Sequence, residues 1–374
     1  MKGYAKPLNE FICGQQIQFV IPVYQRNYDW LQDNCDQLLS DLVKLIHSGR
    51  TSHFFGSIVT SVAGTGFSRL VIDGQQRLTT ISLLLLAGIK AVNDGLLEIS
   101  NESRKDEAYD LFLNAKYCNS ERKIKLVPIE NDRFAYDKIF NGEDELDEDS
   151  KITRNFRHFY DKLTRKPQQL TFDNLLDAVE HLQIISIELD ADDDAQLIFE
   201  SLNSTGLALT EADKIRNYLL MSLTAEEQQL CFKNYWQKIE SATEYNPTKF
   251  LRDYLTIKQQ LQRPVRLSNI YFEWKKYMDG RDRKQEMVEM LDYARYYQQV
   301  TEAQMETSKL SAKMRHICNI ESDVTNVFFI QFLKYAATNN LSYDEIDNVI
   351  DVVENYLARR IDHSAQTVPL VSLK

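Results

Sequence analysis

The chain has no C-x-x-C pair: its five cysteines, Cys13, Cys35, Cys118, Cys231 and Cys318, stand far apart. That spacing excludes a cysteine-built zinc site and a disulfide framework, and it fits the reduced thiols of a cytosolic protein. An apolar leader is missing too, because Glu10, Gln15, Gln16 and Gln18 interrupt the first twenty residues. Long hydrophobic runs are scarce. The strongest, Leu78 to Val92, carries Thr79, Thr80, Ser82 and Lys90 and is too short to span a bilayer, so it reads as a buried helix. A cytoplasmic protein with no membrane partner is the expectation. Positive charge is in deficit, with 44 basic against 55 acidic side chains and a net charge of -11. Most of such a surface repels a polyanion, so any DNA contact needs a local basic patch. The candidates are Arg263, Arg266, Lys275, Lys276, Arg281, Arg283, Lys284, Lys313 and Arg315. No fixed repeat period is evident, which excludes a solenoid.

What is present is a chain of 374 residues, longer than one hydrophobic core usually grows. Ile17 to Val20 reads as a strand that stops at Pro22, and Asp33 to Ile46 carries Leu38, Leu39, Leu42, Leu45 and Ile46 at helical spacing. Phe54 to Val62 and Arg69 to Ile72 read as adjacent strands, followed after Gly74 by a helix from Gln75 to about Val92. From Asn93 to Gln168 the sequence is polar, with the acidic run Glu143 to Asp149 as a solvated loop between helices. His181 to Leu189 returns as a strand, Asp192 to Leu202 looks helical, and Thr210 with Asp213 resembles a capping box opening a further helix. Beyond Ala225 helix follows helix, as in a bundle. The fold class is α+β: residues 1-100 form a small α/β domain, 101-223 a helical insert with the return strand and a second motif, and 224-374 an α-helical domain.

Three polar clusters bear on chemistry. In Leu70-Val71-Ile72-Asp73-Gly74-Gln75-Gln76-Arg77, a strand turns sharply at glycine into a helix. The first amides of that helix have no partners within it and carry the positive end of its dipole, which suits a phosphate. Arg77 adds a planar bidentate donor, and Gln75 and Gln76 can reach ribose, phosphate or base. An ordinary helix cap explains the same stretch equally well. In Tyr24-Gln25-Arg26-Asn27-Tyr28-Asp29-Trp30, one aromatic ring can stack on a base while Arg26 neutralises phosphate, although Tyr28 and Trp30 also read as core anchors. Around Glu200, Asn203, Gly206, Thr210 and Asp213 a helix stop and a helix start account for most of the pattern. A carboxylate that positions magnesium or water remains the alternative.

The segments Ile21 to Trp30, Phe54 to Val59 with Ile72 to Thr80, and Phe199 to Gly206 occur together and in this order. In them the chain resembles the DGQQR-motif N-terminal domain of GmrSD-type type IV restriction enzymes, within the ParB/sulfiredoxin-like superfamily. The resemblance implies a ParB-like α/β domain and an NTP-binding, NTP-hydrolysing role in phage defence, coupled to recognition or cleavage of modified DNA. It implies an active site at the Asp73 to Arg77 turn, with catalytic roles for Asp73, Gln76 and Arg77; from the third cluster, Glu200 or Asp213 is the carboxylate that would orient magnesium or the attacking water. Nucleotide contacts would come from Tyr24, Gln25, Arg26, Gly74, Gln75, Arg77 and Asn203. Many relatives continue into an HNH-like nuclease module with a His-x-x-Pro segment. Here His363 is followed by Ser364 and Ala365, so that partner module is expected elsewhere in the same protein or on a separate chain. A ParB-like DNA endonuclease and a non-catalytic DNA- or protein-binding module are the alternative functions.

Overall fold

The structure is a computed structural model. It describes all residues except 49, 64–66, 119, 166–169, 191, 203–208, 321 and 367–374, and the side chains of all the others save 63, 202, 225, 320, 322–324 and 360–366. The chain divides into two compact units, Met1–Ala208 and Leu209–Lys374.

The first unit runs β1 (Lys2–Pro7), α1 (Leu8–Ile12), β2 (Gln18–Val20), α2 (Gln32–Ser48), β3 (His53–Ala63), β4 (Ser68–Asp73), α3 (Gln75–Asn93), α4 (Ser103–Ala108) with a π-turn (Tyr109–Leu113), β5 (Leu126–Val127), α5 (Glu130–Phe140), α6 (Lys151–Thr164), α7 (Phe172–Glu180), β6 (Leu182–Leu189) and α8 (Ala195–Leu202). Its six strands form one mixed sheet in the order β1-β6-β3-β4-β2-β5. The return strand β6 is internal, next to the edge strand: it pairs parallel with β3 and antiparallel with β1. Next to it β3 and β4 run antiparallel, with Val59 opposite Asp73.

The apolar run of α3 makes it the axis of this unit. Leu83, Leu84, Leu85 and Ala87 are fully buried, and α3 packs against α6, which buries Ile152, Phe156, Phe159 and Leu163 along one stripe. The hydroxyls inside α3 are satisfied locally, Thr80 donating to the Gln76 carbonyl at 2.7 Å and Ser82 to that of Leu78 at 3.1 Å. The chain is thus α+β as its sequence indicates, and the strand–turn–helix at Asp73 to Gln75 falls where expected. Strand β1 was not foreseen: it is an edge strand whose residues are mostly exposed, so it lacks the apolar alternation by which a half-buried strand is recognised. The polar stretch after Asn93 holds α4, α5 and α6, in keeping with the helical insert expected there, and the acidic run Glu143 to Asp149 connects α5 to α6.

The second unit is helical throughout its described residues: α9 (Glu211–Leu220), α10 (Ala225–Cys231) with a π-turn (Phe232–Trp236), α11 (Gln237–Ala242), α12 (Pro247–Lys258), a 3-10 turn (Leu267–Asn269), α13 (Ile270–Tyr277), α14 (Arg283–Thr301), α15 (Ser308–Ile320), α16 (Ser322–Asn339) and α17 (Tyr343–Gln366). Trp236, Phe250, Tyr254 and Trp274 are among the largest fully buried side chains of its core. No helix among the described residues is long and apolar enough to cross a membrane.

Candidate functional site

The site is built where β4 ends. Asp73 is the last residue of the strand, Gly74 follows with φ +95°, and α3 begins at Gln75. A side chain at Gly74 would be strained by that φ, and its Cβ would stand 3.0 Å from Ile58 on the neighbouring strand. Gly74 supplies no side-chain cap, and the first turn of α3 contains no acidic residue, so nothing in that turn offsets the positive end of the helix.

Arg77 folds back from this first turn. Its guanidinium donates to the Ser57 carbonyl at 3.0 Å and lies 3.8 Å from the Asp73 carboxylate. That path crosses Gly56, whose φ is +120° and whose Cβ would come within 2.7 Å of Arg77 Nε. Gly56 and Ser57 were given no role from the sequence. The signal was an isolated glycine inside a β-rich run, which marks a close backbone approach. Burial raises the pKa of Asp73 above the ordinary carboxylate value, opposed by Arg77, by the Gly74 N–H and by Arg26. Arg77 is thus the cation in contact with this half-buried carboxylate, and Arg26 acts on it only through its field.

Arg26 sits on the loop between β2 and α2, 4.0 Å from Asp29, which also pairs with Lys151. The two glutamines of the turn hold this loop. Gln76 Oε1 accepts the Asp29 and Trp30 N–H groups at 2.8 and 3.2 Å, and its amide donates to the Asn27 carbonyl at 3.2 Å. Gln75 donates to the Arg26 carbonyl at 3.1 Å. From the loop, Gln25 donates to the Ile72 carbonyl at 2.8 Å. Gln25, Gln75 and Gln76, read from sequence as groups free to reach a nucleotide, are instead buried and fasten the Arg26 loop to the start of α3. Tyr24 is 1% exposed and Tyr28 4%. Tyr24 thus offers no open ring for a base, and Tyr28 is the core anchor its alternative reading described. The Tyr28 hydroxyl bonds Thr80 Oγ1 at 2.8 Å and accepts from Asn155 at 2.9 Å.

Behind the loop, Asp132 accepts the Tyr28 N–H at 2.6 Å, and burial pushes its carboxyl up to about 6. A raised folded-state pKa means that ionisation is harder in the folded chain than in the unfolded one. Stability from this group is therefore greatest at low pH and falls as pH rises between the ordinary carboxylate value and about 6, with no further loss above. Asp132→Asn retains an acceptor for Tyr28 and removes the titration. Denaturant midpoints measured from pH 4 to pH 7 are expected to decline less steeply in this variant than in the wild type. Parallel profiles would remove Asp132 as the source.

Glu200 lies on α8, which packs against β4, and it accepts a hydrogen bond from Gln196 at 3.0 Å. Asn203 lies outside the described residues. Asp213 belongs to the second unit, where the expected capping box is present: its carboxylate receives the Thr210 N–H at 3.1 Å while the Thr210 hydroxyl accepts the Asp213 N–H. Its other oxygen pairs with Arg216 at 2.8 Å, and Arg216 continues to Glu240 at 2.8 Å. Both oxygens of Asp213 are engaged in holding α9. Among the described residues no group of three or more His, Cys, Asp or Glu side chains is arranged to hold a metal ion.

The nine basic positions of the helical region divide as well. Arg283 donates to the Tyr218 carbonyl at 2.8 Å and stacks over that ring, Lys284 pairs with Glu227, and Lys313 pairs with Asp347 and Asp351. Arg263, Arg266, Lys275, Lys276, Arg281 and Arg315 are exposed.

A mixed sheet whose strand-to-helix turn sets Arg77 beside Asp73 and holds the Arg26 loop defines an α+β protein with a polar site at the end of β4. The chain matches the model of the GmrSD restriction endonuclease N-terminal domain over residues 8–220, more than half its length, and it belongs to that family. It is therefore a component of a restriction system. The match takes in every element of the first unit from α1 onward and the first helix of the second. Comparison with curated proteins gave no match.

Proposed function

We propose that the Asp73–Arg77 turn binds the phosphates of a nucleoside triphosphate and promotes its hydrolysis, and that this hydrolysis controls the restriction system's action on modified foreign DNA. The observation that supports it most is Arg77 beside Asp73 at the uncapped first turn of α3, with the loop that carries Arg26 fastened to the same turn by Gln75 and Gln76. Guanidiniums match phosphate oxygens in charge and geometry, and the helix amides add donors of the same sign. Groups held in advance stabilise the charge on the transferring phosphoryl oxygens without having to reorient during the reaction. Asp73 orients the attacking water and accepts its proton, a role favoured by a carboxyl whose pKa burial has raised. Gln75 and Gln76 act as positioning residues, because they fix the loop that carries Arg26. A magnesium ion bound with the triphosphate would neutralise phosphate charge, held by the phosphates, water and one or two carboxylates. Glu200 is the candidate for that carboxylate, since Asp213 is engaged in its own unit.

The test is release of inorganic phosphate from each of the common NTPs, with and without magnesium. The wild type is expected to release phosphate, and Asp73→Asn to bind nucleotide with little or no release. Neither binding nor release with any NTP would overturn the reading and return the chain to the non-catalytic or nuclease alternatives.

A further inference from the structure

We propose that the connection between α12 and α13, together with the exposed side of α13, is a surface that binds the sugar-phosphate backbone of double-stranded DNA and does not read the modified base. Within a chain of net charge -11, residues 258–284 hold eight basic side chains against three acidic ones. Residues 260–264 and 266–269 are exposed, so Arg263 and Arg266 project from a stretch with almost no burial of its own. Gln259 at the start of this stretch donates to the Glu273 carbonyl at 3.5 Å, which ties it to α13.

The surrounding contacts leave the positive charge in excess. Arg263 and Arg266 form no ion pair among the described residues, while Arg281 donates to the Tyr277 carbonyl at 2.8 Å and lies 4.3 Å over that ring, Arg283 packs over Tyr218 and Lys284 bonds Glu227. Lys276 pairs with Glu273 at 3.0 Å and also lies 4.0 Å over the ring of Phe272, which is 57% exposed. An exposed ring beside cations adds apolar contact to a charged surface. A phosphate-lined duplex is the ligand that best fits such a surface on an otherwise acidic chain in a restriction family, because counterions released from DNA repay local neutralisation. Arginine and lysine contacts to phosphate carry no sequence information, so modified and plain DNA should bind here alike.

This inference rests on the reading that the chain acts on DNA, and not on the nucleotide chemistry proposed at Asp73. The experiment is a salt titration of binding to short labelled duplexes, plain and modified, by the full chain. Arg263→Glu/Arg266→Glu and, separately, Lys275→Gln/Lys276→Gln are compared with the wild type. All four positions are exposed, so folding should be preserved, and circular dichroism checks it.

The arginine pair is expected to lower affinity about tenfold or more and to reduce the salt slope by about two, equally for both duplexes. Nucleotide binding should stay unchanged. Wild-type affinity and slope in both double variants would overturn the surface while leaving action on DNA intact. No wild-type binding to either duplex at low salt would overturn the surface and the DNA reading together, whatever the phosphate-release assay shows. Loss of binding to modified DNA alone would overturn backbone recognition, and tighter binding to duplex RNA would overturn the assignment to DNA.

Discussion

Arg77→Ala is expected to weaken nucleotide binding by about ten- to a hundredfold, the loss of one charge-assisted contact worth roughly 1.5–3 kcal/mol. The guanidinium is fixed at one end by the Ser57 carbonyl and lies beside Asp73, so little ordering remains when phosphate arrives. Alanine removes the donor and also removes from Asp73 its nearest cation among the described residues, which should raise its pKa further and shift the pH dependence of any hydrolysis upward. Arg77→Lys keeps the charge and loses the planar fork, so an intermediate affinity is the expected result. Titration calorimetry measures both. Wild-type affinity in folded Arg77→Ala protein would show that the phosphates bind elsewhere.

Gly56→Val should have the largest effect on the fold of the site. The backbone there has φ +120°, a region that side-chain-bearing residues rarely adopt, and the added Cβ would meet Arg77 Nε at 2.7 Å. Backbone strain of this kind costs about 1–3 kcal/mol, and the collision adds to it by displacing Arg77 from Ser57. The two contributions separate in a cycle. In an Arg77→Ala background the collision is gone and only the φ strain remains, so Gly56→Val should cost less than it does alone. Denaturant unfolding of the four proteins gives the coupling, and strictly additive costs would contradict the close approach as the reason for glycine.

The parts of this account that were legible in the sequence are those in which local pattern and tertiary role agree. The run Leu78 to Val92 reads as a buried helix and Asp73-Gly74 before it as a tight turn out of a strand, and the structure has both, with Gly74 at a positive φ. The capping box at Thr210 was legible for the same reason: it is made within four residues. Long-range pairing was not. The bonds of Gln25 to Ile72, Gln75 to Arg26 and Gln76 to Asp29 span 47 or more residues, and nothing local separates a glutamine that fastens a loop from one that reaches a ligand. Tyr24 was misleading because an aromatic beside an arginine suits a stacking platform and a core equally well, and burial at 1% decides for the core. The basic positions show the same limit. Arg263 and Arg283 look alike in sequence, and only the packing of Arg283 over Tyr218 distinguishes them.

The central claim is that a triphosphate sits on the first turn of α3 between Arg26 and Arg77. Amide hydrogen exchange, with and without a saturating non-hydrolysable NTP, tests it most directly. Slowed exchange at Gln75, Gln76 and Arg77 and along the Arg26 loop, needing about ten- to a hundredfold more nucleotide in Arg77→Ala protein, is the predicted result. Unchanged exchange at these amides under conditions in which the nucleotide demonstrably binds would contradict the account.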